Sequence, residues 1–330
     1  MSSDFDISKG KYWQRPLSLV DGCTPCSPGC DHCWSAGMAK RFNPDVTLQL
    51  LWIDKETGKP MPPAFNGKII THPERLSVPL KRRKPTVYAV WNDWAHEAVT
   101  ANFIGEMFEV INKCPQHTFL LLTKRPQRAV AAWQWLGESD DAPPLDNFPF
   151  ENVYTGLTVC NQQEADEKIP IFLQVPGKKF LSIEPMLAEM DLSRWLLHKG
   201  HGPLGGGCLK DECAPGCYHG KIDAVILGGE TGPGARPMHP DWVRSVRDQC
   251  AAAGVPFFFK QWGEWAPVTY HSMAGCEHPS LPTYETDKFE VFALKEDRFN
   301  REYKMAKVGR KAAGRLLDGW THDELPWREA

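Results

Sequence analysis

Six short apolar runs, each followed by polar or helical sequence, recur between residues 86 and 262, and this alternation limits the fold more than any other feature. TVYAVW (86–91), TFLLLT (118–123), VYTGLTV (153–159), KKFLSIE (178–184), IDAVILGG (222–229) and PFFFKQW (256–262) are apolar on both faces of an extended chain. Between them the spacing turns helical. Val99, Phe103, Met107, Val110 and Ile111 share one helix face, and further helices are expected around Ala129 to Leu136, from Gln162, near Asp191 and over Asp241 to Ala253. Strands buried on both faces and separated by helices build parallel sheets. With one more strand ahead of the first cysteine cluster, the pattern predicts an α/β fold. A full or partial (βα) barrel of parallel strands suits it better than a doubly wound sheet.

In such a barrel the residues after each strand share one mouth, where sites are built. Asp93 and His96 follow the first run, Lys124 and Arg125 the second, and Cys160 and Asn161 the third. Glu184 follows the fourth, Gly228-Gly229-Glu230 the fifth, and Lys260-Gln261 the sixth. Loop polarity accounts for part of this, yet its recurrence at every strand end marks a binding face. A Pro-rich stretch at 43–85 and a Gly/Cys/His-rich stretch at 195–221 read as insertions over one end. The barrel is expected through residue 265, with 266–330 as an extension packed on it. Within that extension KVGRKAAGRLLDGW (307–320) reads as a loop and a basic helix.

Hydrophobic residues at 42% and charged residues at 24% are an ordinary globular balance, so a packed core is expected. The formal charge of −3 exerts no global pull on phosphates. Any such binding falls to local basic runs, Lys81-Arg82-Arg83-Lys84 and Lys307 to Arg315, whose ordinary reading is a solvated surface. No apolar run reaches the ~18 residues of a membrane span, and the opening MSSDFDISKGKYW has no secretory pattern. The expected location is the cytoplasm, whose reducing conditions make eleven cysteines metal ligands before disulfides. Cys114, Cys160, Cys250 and Cys276 are scattered and read as small buried hydrophobes.

The other seven cysteines fall in two clusters. GCTPCSPGCDHCW sets Cys26, Cys30 and Cys33 at x3 and x2 spacing, with Cys23 three residues upstream. Three thiolates on one short loop hold three irons of a 4Fe–4S cluster and leave the fourth open, an arrangement similar to that of radical S-adenosylmethionine enzymes. The alternative is a four-cysteine zinc site, which more often joins two CxxC turns distant in sequence. The second cluster, Cys208, Cys213, Cys217 and His219, matches a structural zinc site, with His198 and His201 nearby. An auxiliary iron–sulfur cluster or a metal-free loop are its other readings.

The stretches GCTPCSPGCDHCWSAGMAKRF, HPERL (72–76), LLLTKRP (120–126), LGGETGPGARPMHPDWVRSVRDQC (227–250), PFFFKQWGEW (256–265) and VGRKAAGRLLDG (308–319) resemble one family over nearly the whole chain. It is the phage-associated, radical S-adenosylmethionine-like family long catalogued as phage proteins of unknown function. The resemblance implies a Cys-x6-Cys-x2-Cys pattern that falls on Cys23, Cys30 and Cys33. Cys26 departs from that pattern and creates the x3-x2 spacing of other radical enzymes, so the third ligand is Cys23 or Cys26. Asp93, Lys124, Asn161 and Glu184 stand where side chains commonly reach such a cofactor. Gly228, Gly229 and Glu230 resemble an amino-group-binding element, although they follow a late strand rather than the second. Arg236, Lys260 and Gln261 are candidates for the substrate, and Cys160, Tyr154 or Cys276 for a hydrogen donor.

The resemblance further implies a reductant such as flavodoxin (dithionite in vitro) and a phage-encoded enzyme in the host cytoplasm. Its substrate would be a modified thymidine or other pyrimidine of phage DNA, rearranged or functionalised by an isomerase or by C–C or C–N bond formation. A base inside a duplex is out of reach of a buried radical, so it would be flipped or taken as a nucleotide. The competing expectations are a zinc-stabilised nucleic-acid-binding protein without catalysis and a radical lyase that repairs DNA lesions.

Overall fold

The computed structural model describes residues 6–48, 63–196, 221–268, 291–294 and 304–328. In chain order the first elements are β1 (Arg15–Leu17), β2 (Val20–Asp21), α1 (Trp34–Phe42), β3 (Ile70–Thr71) and α2 (Ser77–Leu80). The repeating units follow: β4 (Val87–Val90), α3 (Ala101–Asn112), β5 (Thr118–Thr123), α4 (Pro126–Glu138), β6 (Val153–Thr158) and α5 (Gln162–Phe172). They continue through β7 (Lys178–Ile183), α6 (Ser193–Leu196), β8 (Ala224–Gly228), α7 (Pro240–Ala253) and β9 (Phe257–Gln261). The chain then forms β10 (Trp265–Val268), β11 (Val291–Ala293), β12 (Lys304–Lys307) and the single turn α8 (Arg310–Ala313).

Seven strands, in the order β1-β4-β5-β6-β7-β8-β9, form one all-parallel sheet. β1 and β9 lie at opposite edges, so the sheet curls into a half-barrel. The partial barrel is therefore the form adopted, and the six strands read from the sequence all lie in it. A separate antiparallel sheet has the order β10-β12-β11, and β2 pairs with β3.

Both faces of the sheet are apolar, for different reasons. On the convex side Tyr88, Val90, Phe119, Leu121, Leu181, Val225 and Leu227 share a core with Phe103, Met107, Phe108, Ala129, Trp133, Val243 and Val246 of the helices. The alternate residues Val87, Leu120, Tyr154, Phe180, Ile226 and Phe258 face the concave side. There they are covered by Tyr12 near one end of the chain and by Leu325 and Trp327 near the other. The Trp327 indole Nε1 donates to the Tyr12 carbonyl at 2.8 Å, and its ring lies 4.9 Å from Tyr154 and 5.5 Å from Phe180.

The path to Trp327 corrects one expectation. Within residues 307–320 the basic helix is confined to the turn α8 (Arg310–Ala313), after which the chain runs alongside β9 and the residue that follows it. Trp262 N–H donates to the Gly314 carbonyl at 3.1 Å and Phe259 N–H to His322 at 3.0 Å. Arg315 turns inward, buried, to pair with Asp323 and the Phe259 carbonyl. The described part of 43–85 holds β3, α2 and short 3₁₀ turns. Cys208, Cys213, Cys217, His219, His198, His201 and Cys276 lie outside the described residues, as does most of 195–221. Among the described residues no helix is long and apolar enough to cross a membrane.

Candidate functional site

The loop between β2 and α1 carries Cys23, Cys26, Cys30 and Cys33 across the carboxyl edge of the sheet. It enters through Gly22, whose φ of +93° and 1.9 Å approach of a would-be Cβ to the Lys68 carbonyl admit no other residue without a shift. Pro28–Cys30 make one 3₁₀ turn, capped by Ser27 Oγ accepting from Gly29 N–H at 3.1 Å. The loop is then fastened by groups that follow four different strands. His96, after β4, meets Thr24 Oγ1 at 2.9 Å. Arg125, after β5, donates from Nη2 to the Thr24 carbonyl at 2.9 Å, and Lys124 Nζ donates to Ser27 Oγ at 3.3 Å. Cys160, after β6, touches Ser27 Oγ at 3.7 Å. Arg236, after β8, donates to the Pro28 carbonyl at 2.8 Å and to Asp31 at 3.3 Å.

The four thiols are not equivalent. The Cys26 thiol hydrogen-bonds to Cys30 and is raised by that bond and by burial. Cys30 is pulled down to about 5, mainly by that bond and further by Lys124 and the Cys26 and Ser27 N–H groups, against the burial that opposes it. Burial, with Asp93 adding to it, pushes Cys23 up to about 12 although Arg125 works the other way. Cys33 is raised by burial, with the Ser35 and Ala36 N–H groups at the start of α1 opposing. Cys30 is thus the thiol lowered while its three neighbours are raised, and the charge on Cys30 contributes to raising each of them.

Among the described residues no three His, Cys, Asp or Glu side chains already converge as a metal-binding group. Were a cluster bound on this loop, Arg125 beside Cys23 and Lys124 beside Cys30 would offset the charge of its thiolate ligands.

Below the loop, strand alternation forms a polar layer. Leu120, Phe180, Ile226 and Phe258 face the concave side, so Lys124, Glu184, Gly228 and Lys260, each at an even spacing further along, face it too. Glu184 Oε2 accepts from Lys260 Nζ at 2.5 Å, while its Oε1 is buried and accepts no hydrogen bond. Lys260 also sits 5.5 Å over the Tyr12 ring. A Cβ on Gly228 would lie 3.5 Å from both Glu184 and Lys260.

Residues 8–326 match the family described as protein of unknown function, DUF5131. The chain belongs to that family. No curated protein and no solved structure matches it.

In this DUF5131 member several residues expected at the cofactor serve as fasteners. Asp93 is buried and accepts from Thr123 Oγ1 at 2.5 Å, from Ala95 N–H at 3.3 Å and from Arg125 Nη1 at 2.5 Å. Asn161 caps α5 by accepting from Glu164 N–H at 2.9 Å. Glu230 is buried, with both carboxylate oxygens on Arg236, and that pair holds the cysteine loop. Gly229 is required by packing, since a Cβ there would lie 2.0 Å from the Trp262 carbonyl, and its N–H donates to the Gln261 carbonyl at 2.9 Å. Cys114, Cys160 and Cys250 are buried as expected, and Tyr154 lies in the apolar floor.

The residues overlooked in the sequence are Arg125 as a keystone, and Thr24, Ser27 and Glu97. Arg125 joins Asp93, Glu97, Thr24 and Cys23, the last at 3.9 Å. Its one local signal is position: it closes the strand-end sequence TKR directly before Pro126. Lys81, Arg82, Arg83 and Lys84 line a cleft of about 430 Å³ together with Arg15, Val78 and Tyr88. That cleft sits at the amino ends of β1 and β4, the end of the sheet opposite the cysteine loop.

Proposed function

We propose that this chain is a radical S-adenosylmethionine enzyme whose 4Fe–4S cluster is held by Cys30, Cys33 and one of Cys23 and Cys26. The observation that carries the reading is the seating of the cysteine loop. It follows the first strand of a parallel half-barrel, lies over the carboxyl edge and is clamped by groups from the ends of β4, β5, β6 and β8. When bound, the cluster and S-adenosylmethionine supply one-electron cleavage of the sulfonium and a 5′-deoxyadenosyl radical that removes hydrogen from substrate. The chain's own residues do the rest. Arg125 and Arg236 hold the loop in place, Lys124 sits beside Cys30 to offset thiolate charge, and Trp13, Trp91 and Trp34 pack edge to face around the cysteine side. Glu184 and Lys260 occupy the concave wall beneath, where a substrate is reached.

The proposed substrate is a modified pyrimidine of DNA, or its nucleotide, with a cytoplasmic reductant such as flavodoxin. The Arg15 and Lys81–Lys84 cleft supports contact with a nucleic-acid backbone. Being remote from the mouth, it suits tethering of DNA rather than presentation of the reacting base, which must leave the stack. Protein purified without oxygen should contain about four irons per chain. It should release 5′-deoxyadenosine from S-adenosylmethionine with dithionite, and Cys30→Ala and Cys33→Ala should abolish that release. Full cleavage by those variants removes the assignment. The second cluster is proposed as a zinc site, so one zinc per chain should accompany the iron.

A further inference from the structure

The helix that follows the cysteine loop carries its large apolar residues on the outside. In α1 the side turned to the molecule is small: Ala36 is fully buried, and Ala39 packs with it against Val46, Phe65 and Ile70. Trp34, Met38 and Phe42 are instead 48%, 38% and 71% exposed, and their spacing of four places them in one stripe along the helix. At a rise of about 1.5 Å per residue the stripe is about 12 Å long. Its first residue is next in sequence to Cys33 and lies edge to face on Trp91, 5.1 Å away, so the stripe runs outward from the rim of the cysteine site. A contiguous exposed apolar row of this kind marks a surface that a partner covers.

Charge, size and composition select the partner. α1 has no acidic residue, and Lys40 and Arg41 stand in its last turn, with Arg41 on the exposed side beside the stripe. The acids that flank the helix are already matched: Asp31 pairs with Arg236 at 3.3 Å and Asp45 with Lys68 at 3.9 Å. The stripe therefore offers positive charge to whatever covers it. At those exposures the three side chains present on the order of 300 Å² of apolar surface. That falls well short of the ~1,000 Å² or more that each chain of a permanent dimer buries, and suits brief encounters such as electron transfer. Trp, Phe, Met and Arg are also the residues that gather at the centres of protein interfaces. Met38 has no ring for a base to stack on, and two cations are few for a phosphate backbone, so a protein is favoured over a nucleic-acid strand.

We infer that the exposed face of α1 is the docking site for a small acidic flavoprotein that carries single electrons. The carrier's carboxylates meet Lys40 and Arg41, and an apolar rim on it covers Met38 and Phe42, which brings its flavin toward Trp34 and Cys33. In each encounter one electron passes from the flavin, which is oxidised, to the cluster, which is reduced, and no bond forms or breaks. The inference rests on the proposed function in naming a cluster as the receiver of that electron, whereas docking is measurable without turnover.

The test is biolayer interferometry of the full-length, anaerobically purified protein against an acidic flavodoxin in its oxidised form. Three variants join the wild type: the double variant Met38→Ser with Phe42→Ser, Arg41→Glu, and Trp320→Ser, the last equally exposed but beside β9 at the far edge of the sheet. Micromolar binding that weakens as salt is added is expected for the wild type. The double variant and Arg41→Glu should each bind at least about tenfold more weakly, with Trp320→Ser and the melting temperatures unchanged. Dithionite is small and needs no docking face, so release of deoxyadenosine driven by it should stay at the wild-type level, while release driven by reduced flavodoxin falls in step with binding. No measurable binding of flavodoxin, or equal binding by all four proteins, overturns the inference. So does a wild-type dimer that the double variant dissociates, seen by sedimentation velocity, or single-stranded DNA bound through these residues in place of flavodoxin, seen by fluorescence anisotropy. If the double variant fails to fold, Arg41→Glu decides. Flavodoxin docking through α1 on a protein without iron or deoxyadenosine release would remove the radical reading and leave the docking face. Dithionite-driven release from a protein that binds no flavodoxin would do the reverse.

Discussion

Replacing Arg125 by Met tests whether one buried guanidinium couples the sheet to the cysteine loop. Arg125 and Asp93 side chains are 8% and 7% exposed and meet at 2.5 Å. The substitution leaves the Asp93 carboxylate with Thr123 Oγ1 and the Ala95 and Lys124 N–H groups but no cation, and strips the donor from the Thr24 carbonyl. Removing one partner of a buried pair costs about 3–5 kcal/mol, because the other charge stays desolvated. At about 2 °C per kcal/mol for a chain of this size, the melting temperature should fall by about 6–10 °C. Asp93→Asn should cost less, about 1.5–3 kcal/mol, since Arg125 keeps both oxygens of Glu97 at 2.9 and 2.8 Å. The double variant should fall short of the sum of the two by about 1–3 kcal/mol. Scanning calorimetry of the four proteins closes the cycle. A loss below about 1 kcal/mol for Arg125→Met, or one unchanged in the Asp93→Asn background, refutes the keystone role.

Two further outcomes follow from single distances and one buried cation. Gly228→Ala should change stability by less than about 1 kcal/mol, as its Cβ meets ordinary contacts at 3.5 Å, whereas Gly229→Ala drives a Cβ to 2.0 Å from a backbone carbonyl and should cost about 1–3 kcal/mol or more. Equal melting temperatures for these neighbouring variants would contradict the packing described. Burial lowers Lys179 from the ordinary 10.5 to about 8, with Asp223 opposing. Between those values the unfolded chain retains a proton that the folded lysine has released, so stability rises with pH across the window. Wild type should therefore gain about 2–3 kcal/mol on Lys179→Met between pH 8 and 10, read from urea midpoints. A difference that stays constant across that range counts against it.

Much of the architecture was legible because it is local. Six of the seven strands of the half-barrel appear as apolar runs, β1 (Arg15–Leu17) being the exception, and the helices between them appear as 3.6-residue spacing, as in Phe103, Met107 and Ile111. The loop bearing the four cysteines was legible through the clustering of one residue type. The tail was not: Gly314 to Trp327 has weak periodicity, since its backbone pairs with the edge of β9 and its end fills the concave face. Arg125 stood in plain view beside Lys124, yet nothing nearby in sequence shows that its partners are Thr24 and Asp93.

The order of residues by itself determined the parallel α/β character, the position of the thiols after the first strand, and which polar groups arrive at the carboxyl edge. Only the tertiary structure decided what those groups do there. Asp93 and Glu230 are consumed by arginines that clamp the loop, and Glu184 is left with one oxygen unmet. The physical reason is that hydrogen-bond satisfaction is settled between residues tens to hundreds of positions apart, after each strand end has been given its neighbours.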